Sequence, residues 1–188
     1  MQSSSSGRLV VISGPSGAGK TSVCRELKSD PRVEFSVSAT TRRMRDGECD
    51  GVDYWFLSDD EFQRRERAGE FLESANYNGR RYGTLRAPME AALREGKVFV
   101  LEIEVQGTRQ LRDKRVPGVY VFVVPPSIEE LRARLRRRAQ NAPSEIEERL
   151  RIAQEEMKAR DLYDHVVENV VLADTIARVR ELIGLEAR

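Results

Sequence analysis

A chain of 188 residues has room for one α/β core with small insertions but not for several independent domains. Its 32 Lys and Arg stand against 31 Asp and Glu, a formal net charge of +1, so no global field draws it to nucleic acid or to an anionic membrane. With 39% hydrophobic residues, a mean hydropathy of -0.54 and no apolar run near the ~20 residues a bilayer demands, the composition excludes a membrane-spanning helix.

Residues 1–6 (MQSSSS) carry neither a basic segment nor an apolar block, which predicts a short flexible tail, no secretion signal and a cytoplasmic protein. Leu9-Val10-Val11-Ile12 predicts the first strand, and three further β-branched runs follow: Val98-Phe99-Val100-Leu101, Val119 to Val124, and Val166-Val167 with Val170-Val171. Continuous apolar runs mark strands covered on both faces, as in a parallel sheet. Helical segments lie between them. Ser58 with Glu61, Ser127 with Glu130 and Ser144 with Glu147 match the Ser-x-x-Glu capping pattern, and Gly96 is placed to end a helix through Met89 to Glu95. The predicted fold is a three-layer α/β fold with a parallel sheet and right-handed crossovers.

Two stretches break this alternation. Residues 38–84 turn polar and glycine-rich, with short aromatic strand candidates at 54–56 and 71–77, which predicts a small subdomain inserted after the second strand. Residues 132–160 predict two charged helices bent at Ala139 to Pro143, and both a mobile flap and a solvated helical hairpin fit that pattern. The core then comprises 7–37, 85–131 and 161–188 of a single domain spanning 7–188. Cys24 and Cys49 lack any CxxC partner and read as reduced thiols, and the lone His165 reads as structural.

Directly after the first strand stands Gly14-Pro15-Ser16-Gly17-Ala18-Gly19-Lys20-Thr21, a full match to the P-loop pattern GxxxxGK[ST], so the three-layer α/β fold is expected to be the P-loop NTPase fold. Glycines let successive backbone N–H groups converge on phosphate oxygens, and the following helix adds its positive end. Lys20 is suited to neutralising the β- and γ-phosphates, and the Thr21 hydroxyl to Mg²⁺. Glu102 and Glu104 alternate at the carboxyl end of a predicted strand, the edge where ligands gather in open α/β sheets; Glu102 could hold the ion's water shell, although such acids also serve simply as solubilising residues.

P-loops serve GTPases, ATPases and small-molecule kinases alike, and the discriminating residues lie elsewhere. Ser36 to Arg45 (SVSATTRRMR) clusters arginines behind hydroxyl residues, and Asp53-Tyr54 and Tyr82-Gly83-Thr84 follow. Together with LEIEVQG at 101–107 and PPS at 125–127, these motifs span about Gly7 to Leu185. In that order they strongly resemble guanylate kinase, a family that moves the γ-phosphoryl group of ATP to GMP in purine nucleotide metabolism. The resemblance implies that the insertion holds GMP. Arg42 and Arg45 would clamp its phosphate with the hydroxyls of Tyr54 and Tyr82, while Ser38, Glu73, Thr84 and Glu104 would face the guanine. A carboxylate satisfies guanine N1–H and N2–H₂ but is left unpaired by adenine, a difference worth a discrimination of roughly 10⁴ or more.

By the same resemblance Arg134, Arg138 and Arg149 are lid arginines over ATP, Arg132, Arg136 and Arg137 belong to the solvated face, and Asn169 sits near adenine. Two departures stand out: the family usually has an acid where this chain has Val170, and Asp where it has Glu104. The implied partners are ATP, GMP and Mg²⁺, with no nucleic acid or membrane, in a monomer or small homo-oligomer. A second pKa near ~6 leaves the acceptor phosphate largely dianionic at neutral pH, so no base is needed. Kinases of other base choice and the peptide-binding guanylate-kinase-like domains of scaffold proteins are the competing readings. A regulatory GTPase lacks support, since no NKxD motif follows the sheet.

Overall fold

In the computed structural model, which describes residues 7–77, 79–137 and 143–186, the chain opens with β1 (Arg8–Ser13), crosses through α1 (Lys20–Leu27) and returns as β2 (Val33–Phe35). The polar stretch forms β3 (Ser38–Thr40), β4 (Trp55–Phe56), α2 (Asp59–Arg67), β5 (Phe71–Tyr77) and β6 (Arg80–Leu85). Alternation then resumes with α3 (Arg86–Arg94), β7 (Val98–Glu102), α4 (Val105–Asp113) and β8 (Val119–Val124). The chain continues through α5 (Ile128–Arg137), α6 (Pro143–Met157), a 3₁₀ turn (Arg160–Leu162), β9 (His165–Glu168) and α7 (Leu172–Leu182).

Five strands form one wholly parallel sheet in the order β2-β7-β1-β8-β9. The most apolar strands sit innermost because both of their faces are covered. Val10 and Ile12 of β1 pack with Val23 and Leu27 of α1, Val179 of α7 and Ile183 just past its end. Leu9 and Val11 point to the opposite layer, with Met89, Ala92 and Leu111 of α3 and α4. Period-two alternation thus feeds two cores from one strand, each buried aliphatic side chain contributing ~1.5–3 kcal/mol. A second sheet, β4-β3-β6-β5, is built from 38–85 and packs Ala39, Phe71 and Leu85 against Phe62 of α2.

Ser58 and Ser127 do accept from the Glu61 and Glu130 amides, at 3.1 and 3.0 Å, and start their helices as their pattern predicts. Gly96 (φ 75°) ends α3: its amide donates to Leu93 and that of Lys97 to Ala92, which satisfies carbonyls the helix leaves open. Two expectations need correction. Ser144 lies inside α6, which begins at Pro143, because proline's fixed φ suits a first helical turn. Val170 and Val171 are outside the last strand, which stops at Glu168, and both are exposed. The Asn169 amide bonds the Val124 carbonyl and the chain then turns into α7.

The charged segment has an apolar seam. Leu131 and Leu135 of α5 meet Ile146, Leu150 and Ala153 of α6 in a core of their own, at helical spacing. Leu131 and Leu135 also cover Gly17, where an added Cβ would stand 2.8 Å from Leu131 Cδ1, so this helix pair is seated on the phosphate loop. The tail 1–6 and most of the bend, 138–142, lie outside the described residues.

Candidate active site

β1 ends at Ser13 and α1 begins at Lys20, so the glycine-rich loop spans the carboxyl edge of the sheet. Gly14 (φ 149°) passes so close to β8 that a Cβ would run into the Val123 carbonyl, and Gly19 (φ 100°) presses on the Asn169 amide group. Only glycine fits both positions. No side chain caps α1, which leaves its first amides for an anionic ligand. Lys20 Nζ donates to the carbonyls of Gly14 and of Pro15, the latter at 3.1 Å. Burial pulls the Lys20 ammonium below its ordinary range, and Glu156, Glu102 and Glu104, in that order, pull it back.

Thr21 Oγ1 donates to Glu102 Oε1 at 3.3 Å, bringing a helix-start hydroxyl and a strand-end carboxylate together. Both are hard oxygen donors, and one carboxylate with a hydroxyl beside a phosphate loop is the kind of set Mg²⁺ takes when substrate oxygens and water complete its shell. No cluster of three or more His, Cys, Asp or Glu able to hold a metal by itself occurs among the described residues. The pair therefore fits a nucleotide-borne ion.

Beside this edge a cleft of about 350 Å³ opens between the two sheets, lined by Ser38, Tyr54, Glu73, Tyr82, Glu102 and Glu104, with Gln106 and Gly107 at the start of α4. α4 ties the small sheet to the core: Gln110 brackets the Ser74 backbone, accepting from its amide at 3.1 Å and donating to its carbonyl at 2.6 Å, and Lys114 Nζ reaches the Leu72 carbonyl at 2.7 Å. Glu73, between them, is held against α4. Thr84, opposite it in register, donates to Glu73 Oε1 at 2.7 Å. Gly107 leaves room for the other oxygen, since a Cβ there would lie 3.0 Å from Glu73 Oε2. Burial raises the Glu73 carboxyl, against the Thr84 hydrogen bonds and the Lys114 charge.

One wall of the cleft is aromatic. The Tyr54 and Tyr82 rings meet edge to face at 6.1 Å, and the Arg42 guanidinium lies 5.2 Å from the Tyr54 ring centre. Arg42 pairs through both terminal nitrogens with Glu48. Arg45 is exposed, and its amide donates to the same carboxylate.

A second cleft, about 300 Å³, is lined by Gly17, Gly19, Ser22, Arg134, Arg137, Asn169, Val170 and Leu172. Arg134 donates to Glu130 at 2.8 Å, to the Asn169 carbonyl at 2.8 Å and to the Ala18 carbonyl at 3.4 Å, joining α5 to the phosphate loop. Asn169 is buried: its amide donates to Ala18 O at 2.7 Å and its carbonyl accepts from Thr175 at 3.1 Å. Its side chain thus braces the loop. Arg149 is half-buried on α6, and Arg138 lies outside the described residues.

Sequence reasoning missed several residues. Glu156, on α6, acts electrostatically on Lys20, and its Oε2 is buried and unpartnered among the described residues. Burial raises its carboxyl, the Lys20 charge opposes, and Glu104 adds to the rise. Nothing in a run of charged helical residues singles it out. Arg137 is exposed, as its assignment to the solvated face expects, and in addition lines the second cleft beside Arg134, a neighbour three residues earlier on α5. Glu48 had one available signal, as an acid following a cluster of arginines.

A family model described as guanylate kinase matches residues 6–186. A guanylate kinase of Rubrobacter xylanophilus is 48% identical over 176 residues, covering 93% of this chain and 90% of that protein. One of Enterococcus faecalis is 43% identical over 182 residues, covering 96% and 89%. Among solved structures, the crystal structure of guanylate kinase from Anaplasma phagocytophilum matches with a TM-score of 0.73 at 32% identity, over 96% of this chain and 86% of that one.

Proposed function

The chain belongs to the guanylate kinase family and transfers a phosphoryl group from ATP to GMP, and on that premise we propose that the larger cleft receives GMP while the P-loop and the α5/α6 pair receive ATP. The observation that carries the assignment is the buried Glu73 on the wall of the larger cleft, aimed by Thr84 from behind the lining. A carboxylate oriented by a hydroxyl and denied water accepts from guanine N1–H and N2–H₂, and has nothing to accept from at adenine N1. Thr84 spends its proton on Glu73, so Ser38 is the hydroxyl left for guanine O6, and Glu104 completes the base site directly or through water. Arg42 and Arg45, with the Tyr54 and Tyr82 hydroxyls, take the acceptor phosphate.

The main obstacle to reaction is repulsion between two polyanions; at an effective ε of about 20, one pair of unit charges ~4 Å apart opposes approach by ~4 kcal/mol. Lys20, Arg134, Arg138 and Arg149 supply the cancelling charge on the donor side, and the free backbone N–H groups of the loop and of the start of α1 hold the donor phosphates. The acceptor is already a dianion, so the protein's contribution is orientation and a preorganised field. Thr21 and Glu102 would hold Mg²⁺. When bound, that ion neutralises charge on the donor phosphates. Asn169 acts through the loop it braces, and Val170 and Leu172 offer an apolar edge to the adenine ring. α5, seated over Gly17 through Leu131 and Leu135 with α6 packed against it, keeps water from the transferred group.

We further propose three working units, a core (7–37, 85–131, 161–188), a GMP-binding insertion (38–84) and a lid (132–160), supported by the separate sheet and the separate lid core. The setting we infer is cytoplasmic GMP recycling by a monomer or small homo-oligomer without nucleic acid, in keeping with a net charge of +1. No helix among the described residues is long and apolar enough to cross a membrane. The deciding experiment is a coupled ADP-release assay with ATP, a magnesium salt and each of GMP, AMP, CMP and UMP. Turnover with GMP at least ~10³-fold above AMP is expected from a hydrogen-bonded base site; preference for AMP would overturn the cleft assignment.

A further inference from the structure

We propose that Glu48 is a positioning residue for the acceptor phosphate: one carboxylate holds the Arg42 side chain and the Arg45 backbone in a single arrangement and thereby sets the affinity for GMP without touching it. The inference rests on the reading of Arg42 and Arg45 as the phosphate clamp. Glu48 Oε1 accepts from Arg42 Nη2 at 2.8 Å, and Oε2 accepts both from Arg42 Nη1 at 3.0 Å and from the Arg45 amide at 2.8 Å. The Glu48 amide in turn donates to the Arg45 carbonyl at 3.1 Å, closing a turn around the pair. Both side chains are largely covered, at 15% and 20% exposure, unlike the surface ion pairs of α2 and α6.

The donor inventory of Arg42 tells a positioning partner from a competitor. A guanidinium has five N–H donors. Glu48 takes one from each terminal nitrogen, and the Arg43 carbonyl takes a second from Nη1 at 2.8 Å. Those acceptors leave Nε and one donor on Nη2, which together form the side-on fork, and the Tyr82 hydroxyl also hydrogen-bonds this guanidinium. That fork matches two oxygens of a phosphate as well as the end-on fork matches a carboxylate. Glu48 therefore occupies the edge the phosphate does not need. The Tyr54 and Phe56 rings, 5.2 and 5.6 Å from the guanidinium, flank the same group, and the Tyr82 hydroxyl interacts with it. Without Glu48 the long Arg42 side chain would have to be ordered by GMP itself, at the expense of affinity.

The test uses the full chain and steady-state kinetics with GMP and ATP varied in turn. Glu48→Gln keeps the shape but turns one oxygen into a donor facing a donor. The expected result is a GMP KM raised by on the order of tenfold, with kcat at saturating GMP and the ATP KM within about twofold, as misplacement of a clamp predicts. Arg42→Lys, which has no fork to orient, should raise the GMP KM by itself, and adding Glu48→Gln to it should change little more. A GMP KM unchanged or lowered by Glu48→Gln, while Arg42→Lys raises it, overturns the inference and leaves the clamp intact. An Arg42→Lys enzyme with an unchanged GMP KM overturns the clamp reading itself. Equal losses toward GMP and ATP would mark Glu48 as merely structural and also overturn it. If Glu48→Gln does not fold, Glu48→Asp, which keeps the charge but cannot span Arg42 and the Arg45 amide together, decides on the same readouts.

Discussion

Thr84 Oγ1 donates a 2.7 Å hydrogen bond to Glu73 Oε1 across the β5/β6 pair, and both residues are buried. The bond holds a carboxylate still at a place where burial disfavours its charge, so a ligand that supplies two more N–H donors there is matched to it. Glu73→Ala should lower kcat/KM for GMP by ~10³-fold or more, the scale of losing a hydrogen-bonded base contact. The ATP KM should stay within a few-fold. Initial-rate kinetics with each substrate varied check both halves, and a GMP loss below tenfold would count against the base assignment.

Glu73 also ties stability to pH. Burial raises its folded-state pKa above the ordinary 4.5, so the folded chain holds this proton more tightly than the unfolded one. Such a group stabilises fully below its unfolded pKa, and that contribution is lost as pH rises through the folded value. Glu73→Gln, which cannot ionise, should therefore gain in melting temperature relative to the parent as pH rises from about 4 to 8. A difference of ~1 kcal/mol would appear as ~2–4 °C for a chain of this size. Calorimetric scans at both pH values measure it, and an identical gap at each would refute the linkage.

Asn169 bonds Ala18 and Thr175 at once, so its removal takes one bond from each: the Ala18 carbonyl keeps the 3.4 Å bond from Arg134, and the Thr175 hydroxyl keeps the Val171 carbonyl at 3.0 Å. Asn169→Ala should destabilise the fold by ~1–3 kcal/mol, the scale of two lost buried hydrogen bonds. Because the brace is to the P-loop, the ATP KM should rise several-fold while the GMP KM moves little. Denaturant unfolding and the two KM values report the separate effects; a GMP-selective loss would contradict the bracing role.

Lys20 lies under the loop carbonyls with three glutamates contributing to its environment. Lys20→Ala should reduce kcat by at least ~10³-fold, as expected when a positive group on the transferred phosphoryl is lost. The variant should still fold, with a circular dichroism spectrum like that of the parent. A kcat within tenfold of the parent would remove Lys20 from the mechanism.

The central strands were legible because burial on both faces leaves a continuous apolar run, and Leu9 to Ile12, Val98 to Leu101 and Val119 to Val124 all lie in the parallel sheet. The same rule overran at Val170-Val171: both valines are exposed, Val170 in the lining of the second cleft, and a run of β-branched residues does not register where pairing with the neighbouring strand stops. Ser144 misled because a capping pattern is only local, and Pro143 starts the helix one residue earlier. The seam of Leu131, Leu135, Ile146, Leu150 and Ala153 was obscured by the arginines and glutamates around it.

The chain by itself determined the phosphate loop, since Gly14 to Thr21 is contiguous and its chemistry is that of a single turn and the helix after it. The proposed base and phosphate sites were legible only through resemblance, because Ser38, Glu73 and Glu104 are far apart in sequence and meet in a cleft bounded by α4 where it grips β5. Tertiary structure alone decided that Thr84 aims Glu73, that Glu48 holds Arg42, and that Glu156 acts electrostatically on Lys20. The physical reason is that a charge's role depends on which groups share its low-dielectric surroundings, and folding, not spacing along the chain, selects those neighbours.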